Sequence, residues 1–246
     1  MSGHSKWATI KHKKAALDAK RGRVFTKLIK EITVAARIGG GDQGGNPRLR
    51  AAVLAAKEAN MPADNITRAV KKGTGELEGV IYEETTFEGF APGGVAIILN
   101  VVTDNKNRTL PEIRHIFSKH GGNLGEHNSV SWMFEKKGYF VIDGAAVSED
   151  RLLEIVLEAG GEDVRQDGSN FEVISAIDQF EPVLNALKGN NIPAAVSEIR
   201  MLPKTTVHVE GAMAKRVLGF IDTLEDHDDV QNVWANFDID EADLEA

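Results

Sequence analysis

Along residues 24–38, VFTKLIKEITVAARI, apolar side chains recur three and four positions apart: Phe25, Leu28, Ile29, Ile32, Ala35 and Ala36. That spacing predicts an amphipathic helix with Lys27, Lys30 and Arg37 on the side away from the apolar stripe. The glycines at 39–41 end it, and GGGDQGGN reads as a flexible turn. Asn46 followed by Pro47 predicts the cap and first position of a second helix. It runs to about Asn60 and buries Leu49, Ala52, Val53 and Ala56. Pro62 opens a third helix, with Ile66, Ala69 and Val70 inward and Arg68, Lys71 and Lys72 outward, closed by Gly73. Residues 24–73 therefore predict a three-helix bundle with a basic exterior.

GTGELEG (73–79) reads as a linker, and beyond it the period changes from helical to alternating. Strands are expected near 82–90 and 95–103. A helix follows, with Thr109 and Glu112 placed as a capping box, then a turn at 120–125 and a strand at 129–135. The pattern continues with a strand at 139–143, a helix at 148–159, a strand pair at 163–166 and 171–176, a helix at 178–188 and a strand at 195–201. A strand at 205–209, a helix at 212–226 and a strand at 230–237 complete it.

This order predicts an α+β fold with two βαββαβ units, the arrangement of a ferredoxin-like sandwich. One unit is contiguous over 139–201. The other is split, its first βαβ spanning 95–135 and its last 205–237, so the contiguous unit is inserted in the split one. The expected domains are 1–80, a basic arm plus helical bundle; 81–136 with 203–246, a split α/β domain; and 137–202, the inserted domain.

Charge changes the picture. Residues 1–80 hold 16 Lys and Arg against 7 Asp and Glu, a net of +9. Residues 81–246 hold 13 against 30, a net of −17. Such asymmetry points to a nucleic-acid-facing end. Residues 1–23 have weak periodicity, since Lys14 and Arg21 interrupt the face shared by Trp7, Ile10 and Leu17. A mobile arm that orders on contact is expected there. Lys6, Lys11, Lys13, Lys14, Lys20, Arg21, Arg23 and Lys27 can neutralise phosphates, and Trp7 and His12 can stack on bases. A solvated tail with Trp7 docked on the body is the plainer alternative. Lys27, Lys30, Arg37, Arg48, Arg50, Arg68, Lys71 and Lys72 on the bundle extend the arm into one basic surface.

The stretch TDNKNRT (103–109) joins a strand end to a helix start. Backbone N–H groups there favour an anion beside Asn105, Asn107, Arg108 and Thr109, although an ordinary capped loop accounts for the spacing. Residues 222–246 contain ten Asp or Glu and no Lys or Arg. The run EDHDD (225–229) sits where negative charge opposes a helix dipole. It reads as a solvated helix end, a surface that repels nucleic acid, or a dock for a basic protein.

The other chemistry is excluded more simply. With no cysteine, the chain has no disulfide, thiolate zinc site or cysteine nucleophile. Glu112 and His115 have Glu-x-x-His spacing, but the motif occurs once where a di-iron bundle needs two. No metal or cofactor is expected, and no nucleotide motif or catalytic set stands out, so no enzyme is expected. No apolar run reaches the ~18 residues of a membrane span and no signal peptide is evident, which leaves the cytoplasm as the default. A monomer is favoured.

Three stretches carry more than charge: GHSKWATIKHKKAALDAKRGRVFTK, NPRLRAAVLAAKEANMP and YEETTFEGFAPGGVAIILNVVTDNKNRT. They closely resemble the YebC/PmpR family, and the resemblance covers essentially the full length. It implies a helical N-terminal domain and two α/β domains, the third inserted in the second, with no enzymatic activity. Members are described as probable transcriptional regulatory proteins, and a mitochondrial relative as a translational activator. The resemblance thus implies either DNA binding at promoters or a translation factor that contacts ribosomal RNA and relieves stalling at proline-rich stretches. The basic positions above are carried over as the nucleic-acid contacts. With no extension before GHSKW, the chain resembles a bacterial rather than an organellar member.

Overall fold

The computed structural model describes residues 21–240, and the expectations for Lys6, Trp7, Lys11, His12, Lys13, Lys14 and Lys20 lie outside them. The described chain falls into two compact units. One comprises residues up to 129 together with 211–233; the other comprises 130–210 together with the residues from 234.

The first unit begins with three helices: α1 (Arg21–Gly39), α2 (Pro47–Glu58) and α3 (Ala63–Thr74). Ile32, Ala35, Ala36, Leu49, Ala52, Val53, Ala56, Met61, Ile66 and Ala69 form their common core, and Phe25, Leu28, Ile29 and Val70 pack at its edge. The stripe expected on α1 is therefore the one that is buried. Asn46 ties two helices together. Its Oδ1 accepts the Leu49 N–H (3.0 Å), and its Nδ2 donates to the Ala35 and Gly40 carbonyls (both 2.8 Å). The glycine-rich turn is built rather than loose: Asp42 accepts the N–H groups of Gly44 and Gly45, and Arg50 donates to the Gln43 and Gly44 carbonyls. Gly73 does not close α3. The helix continues to Thr74, and Gly75, with φ at 81°, forms its left-handed cap. A Cβ on Gly73 would lie 2.4 Å from the Thr33 carbonyl oxygen and 2.7 Å from the Ala36 Cβ, so this glycine lets α3 cross α1 closely.

The same unit holds a four-stranded sheet. Its members are β1 (Glu83–Phe90), β2 (Ala96–Thr103), β3 (Asn123–Leu124) and β9 (Val230–Ala235), in the order β3-β1-β2-β9. Strand β2, AIILNVVT, is buried almost throughout. Helices α4 (Lys106–Lys119) and α7 (Gly211–Glu225) meet through Phe117 and Phe220, whose rings lie edge-on at 4.9 Å. Both rings are fully buried.

In the second unit, β4 (Phe134–Asp143), α5 (Glu149–Glu158), β5 (Gly161–Asp167), β6 (Asn170–Ser175), α6 (Phe180–Gly189) and β7 (Ala194–Pro203) are contiguous. The sheet order is β5-β6-β4-β7 and every pairing is antiparallel. That is the ferredoxin-like order expected for this stretch. Phe140, Ile142, Phe171 and Val173 face Leu152, Ile155, Val156, Val183 and Leu187 of the two helices. A small parallel pair, β8 (Val207–His208) with β10 (Phe237–Asp238), completes the unit.

The fold is thus α+β, with two corrections. Residues 131–133 form a single 3-10 turn, and the next strand runs unbroken over Phe134–Asp143. The strands expected at 129–135 and 139–143 are therefore one strand of the second sheet. Residues 207–208 pair with 237–238 rather than joining the first sheet. In that sheet β1, from before the first βαβ, takes the place a ferredoxin-like sandwich gives its third strand.

Candidate nucleic-acid interface and the latch beside it

The basic residues of the bundle divide into two groups. One group is engaged internally. Arg48 reaches Glu31 through Nε and Nη2 (2.6 and 3.0 Å) and Glu84 through Nη1 and Nη2 (3.0 and 3.1 Å), tying α2 to α1 and to β1. Its guanidinium is held above its ordinary value, mainly by the Glu31 hydrogen bond against the cost of burial. Arg50 is used in the glycine-rich turn. Lys30, expected to face outward, is buried. Its ammonium has a carboxylate to reach, 199 residues along the chain.

That carboxylate is Asp229. Lys30 Nζ donates to Asp229 Oδ1 (2.6 Å) and to the Asp228 carbonyl (2.9 Å), and the two side chains are 8% and 4% exposed. Oδ2 accepts from Thr109 Oγ1 (2.6 Å) and Arg108 Nη2 (2.7 Å), and Thr103 Oγ1 lies 3.2 Å away. The hydroxyls form a relay. The Asn105 N–H donates to Thr103 Oγ1 (3.0 Å), Thr103 lies 2.7 Å from Thr109 Oγ1, and Thr109 donates to Asp229. Each hydroxyl has one proton, so this direction satisfies the chain of short contacts. Burial alone would raise the Asp229 carboxyl, but the Lys30 ammonium, the Thr109 hydroxyl and the Arg108 guanidinium outweigh it and hold it well below the usual carboxylate range.

The stretch 103–109 therefore does surround an anion, and that anion belongs to the chain itself. Asn105 caps α4, accepting the Arg108 N–H at 3.1 Å. This displaces the expected capping box: Thr109 lies a turn inside the helix, fully buried. Asn107 is exposed.

The segment that carries Asp229 holds α1 at further points. Lys27 Nζ donates to the Glu225 carbonyl (2.6 Å), and Arg23 pairs with Asp226 (2.9 Å). EDHDD thus sits against basic residues of the chain's own first helix. The acidic run was legible in the sequence, and its partner was not. Glu112, set beside His115 by spacing, instead meets His227, with Oε2 3.1 Å from Nε2. The Asp229 N–H donates to His227 Nδ1 (3.1 Å), so the neutral ring carries its proton on Nε2 and gives it to Glu112. Glu112, His227 and Asp229 cluster closely enough to suggest a metal. The donor set does not fit one: Nε2 bears a proton, and Asp229 already faces an ammonium and a guanidinium.

The other group of basic residues faces solvent. Arg37, at the end of α1, is exposed. On α3, Arg68, Lys71 and Lys72 are exposed at steps of three and four, which places them on one face. None of these three forms an ion pair among the described residues.

The architecture, a helical bundle leading into two sheet-and-helix layers, has a solved counterpart. A crystal structure of a conserved hypothetical protein, Aq1575, from Aquifex aeolicus superposes with a TM-score of 0.82 at 47% identity, covering 91% of this chain and 93% of that one. Residues 5–76 match the TACO1/YebC protein N-terminal domain, and residues 82–237 match the TACO1/YebC second and third domain. The chain belongs to the TACO1/YebC family. A relative from Syntrophobacter fumaroxidans is 60% identical over 240 residues, covering 97% of this chain and 96% of its own. One from Desulfosudis oleivorans is 58% identical over 236 residues, 96% of each chain. Both carry the name probable transcriptional regulatory protein.

Proposed function

We propose that this chain is a non-enzymatic, cytoplasmic regulator of gene expression that binds nucleic acid, acting as a DNA-binding transcriptional regulatory protein. The observation that carries the reading is the exposed stripe of Arg68, Lys71 and Lys72, with the exposed Arg37 as a further cation of the bundle. Lys30, Arg48 and Arg50 have partners inside the fold, whereas Arg68, Lys71 and Lys72 form no ion pair among the described residues. Together with the basic residues before position 21 they supply phosphate contacts. The names of the relatives support a regulatory role.

The test is a salt titration of duplex DNA binding. Changing Arg68, Lys71 and Lys72 together to Glu removes three phosphate contacts. It should weaken binding and flatten the log–log salt slope by about 3, at roughly 0.9 per contact. An unchanged slope overturns the assignment of α3. Crosslinking in cells then identifies the target: promoter DNA supports transcriptional regulation, while predominant ribosomal RNA replaces it with the ribosome-associated translation factor.

A further inference from the structure

Arg23, Lys27 and Lys30 follow one another at steps of four and three, so they form one stripe along α1. All three end on the five residues 225–229. Arg23 meets the Asp226 carboxylate, Lys27 the Glu225 carbonyl, and Lys30 the Asp228 carbonyl and the Asp229 carboxylate.

The grip is graded along the stripe. At the inner end, Lys30 and Asp229 are buried, and removing either partner strands a buried charge. At the outer end, the Arg23 and Asp226 side chains are 52% and 48% exposed, and an ion pair that open to water contributes little. Lys27 there donates to a neutral carbonyl, which a charged acceptor improves upon. A carboxylate and a helix-end carbonyl thus occupy positions that phosphate oxygens suit at least as well. Arg in particular forks onto either anion.

We infer that segment 225–229 is an internal competitor covering a phosphate site at the Arg23–Lys27 end of α1, with Lys30–Asp229 as its fixed anchor. This rests on the nucleic-acid reading above. A bound phosphodiester replaces Asp226 on Arg23 and the Glu225 carbonyl on Lys27, while the buried pair stays closed. The acidic loop thereby sets a threshold: an isolated anion gains little by displacing it, whereas a polyanion also held at α3 gains two further contacts.

The test is a double-mutant cycle on the full chain, Asp226→Asn, Arg23→Gln and the double variant. It is read by fluorescence anisotropy with a 20-base-pair duplex DNA and a 20-nucleotide RNA. Glu58→Gln, on the exposed end of α2, measures the effect of removing one negative charge. Asp226→Asn should tighten binding about threefold to tenfold more than Glu58→Gln does. Arg23→Gln should cost less than twofold in the native background, where Arg23 is already engaged, and should erase the gain in the Asp226→Asn background. If Asp226→Asn matches Glu58→Gln, or Arg23→Gln costs the same in both backgrounds, the competitor is overturned while nucleic-acid binding stands. If no variant and not the native chain binds either probe, both readings fall.

Discussion

Asp229→Asn is the most informative single change in this molecule. It keeps the shape of the side chain but removes the charge and turns one oxygen into an NH2 group. In the native chain, Oδ1 serves Lys30, and Oδ2 serves Arg108 and Thr109. Whichever way the amide is turned, its NH2 meets donors on one side. Lys30 keeps only the Asp228 carbonyl at full strength and remains buried. Removing one partner of a buried pair costs about 3–5 kcal/mol. For a chain of this size each kcal/mol moves Tm by about 2–4 °C, so a fall of about 6–20 °C is expected. Calorimetry or urea unfolding reads it. Lys30→Met combined with Asp229→Asn should recover much of the loss, because no buried ammonium is then left. The pH dependence has a definite sign. A carboxylate held below its unfolded value of about 3.9 contributes stability above that pH and loses it as pH falls toward the folded value. The gap between native and Asp229→Asn should therefore be full at pH 6 and narrow below about pH 4. A loss under about 1 kcal/mol at pH 6, or a gap that widens in acid, refutes the reasoning.

Two further changes probe the bundle. Gly73→Ala places a Cβ against the Thr33 carbonyl and the Ala36 methyl; overpacking of this kind should cost about 1–3 kcal/mol, measured by urea unfolding. Asn46→Ala removes the cap of α2 and two amide bonds to carbonyls at the end of α1. About 2–3 kcal/mol should be lost, with faster hydrogen exchange in the first turn of α2.

The bundle was legible because the 3.6-residue period persists across α1 and Asn46-Pro47 marks a helix start locally. The contiguous sandwich was legible because alternating strand patterns and helical stripes follow one another in the order of its elements. What escaped was non-local. Lys30 is charged, and charged residues face water unless a partner is present; nothing near position 30 announces one at 229. Thr109 and Glu112 satisfy the spacing of a capping box, yet Asn105, four residues earlier, makes the cap, and Thr109 is needed at Asp229. The apolar run SVSWMF imitates a strand although residues 131–133 turn, because Val130 and Phe134 on either side are both buried. The clue to the latch was the acidic run at the end of α7. Negative charge in that position opposes the helix dipole, and cations of α1 and α4 answer it.

The latch also depends on the direction of synthesis. Its cations and hydroxyls, Lys30, Thr103, Arg108 and Thr109, are translated well before Asp229, which follows the last of them by 120 residues. Every residue of the contiguous sandwich is made in between, and its four strands pair with one another without any residue after Pro203. A chain interrupted between positions 203 and 229 thus holds the residues of a complete sandwich and a bundle whose Lys30 lacks its carboxylate. Only a chain read past position 229 can close the Lys30–Asp229 pair, so the acidic run acts on α1 after the sandwich has been made.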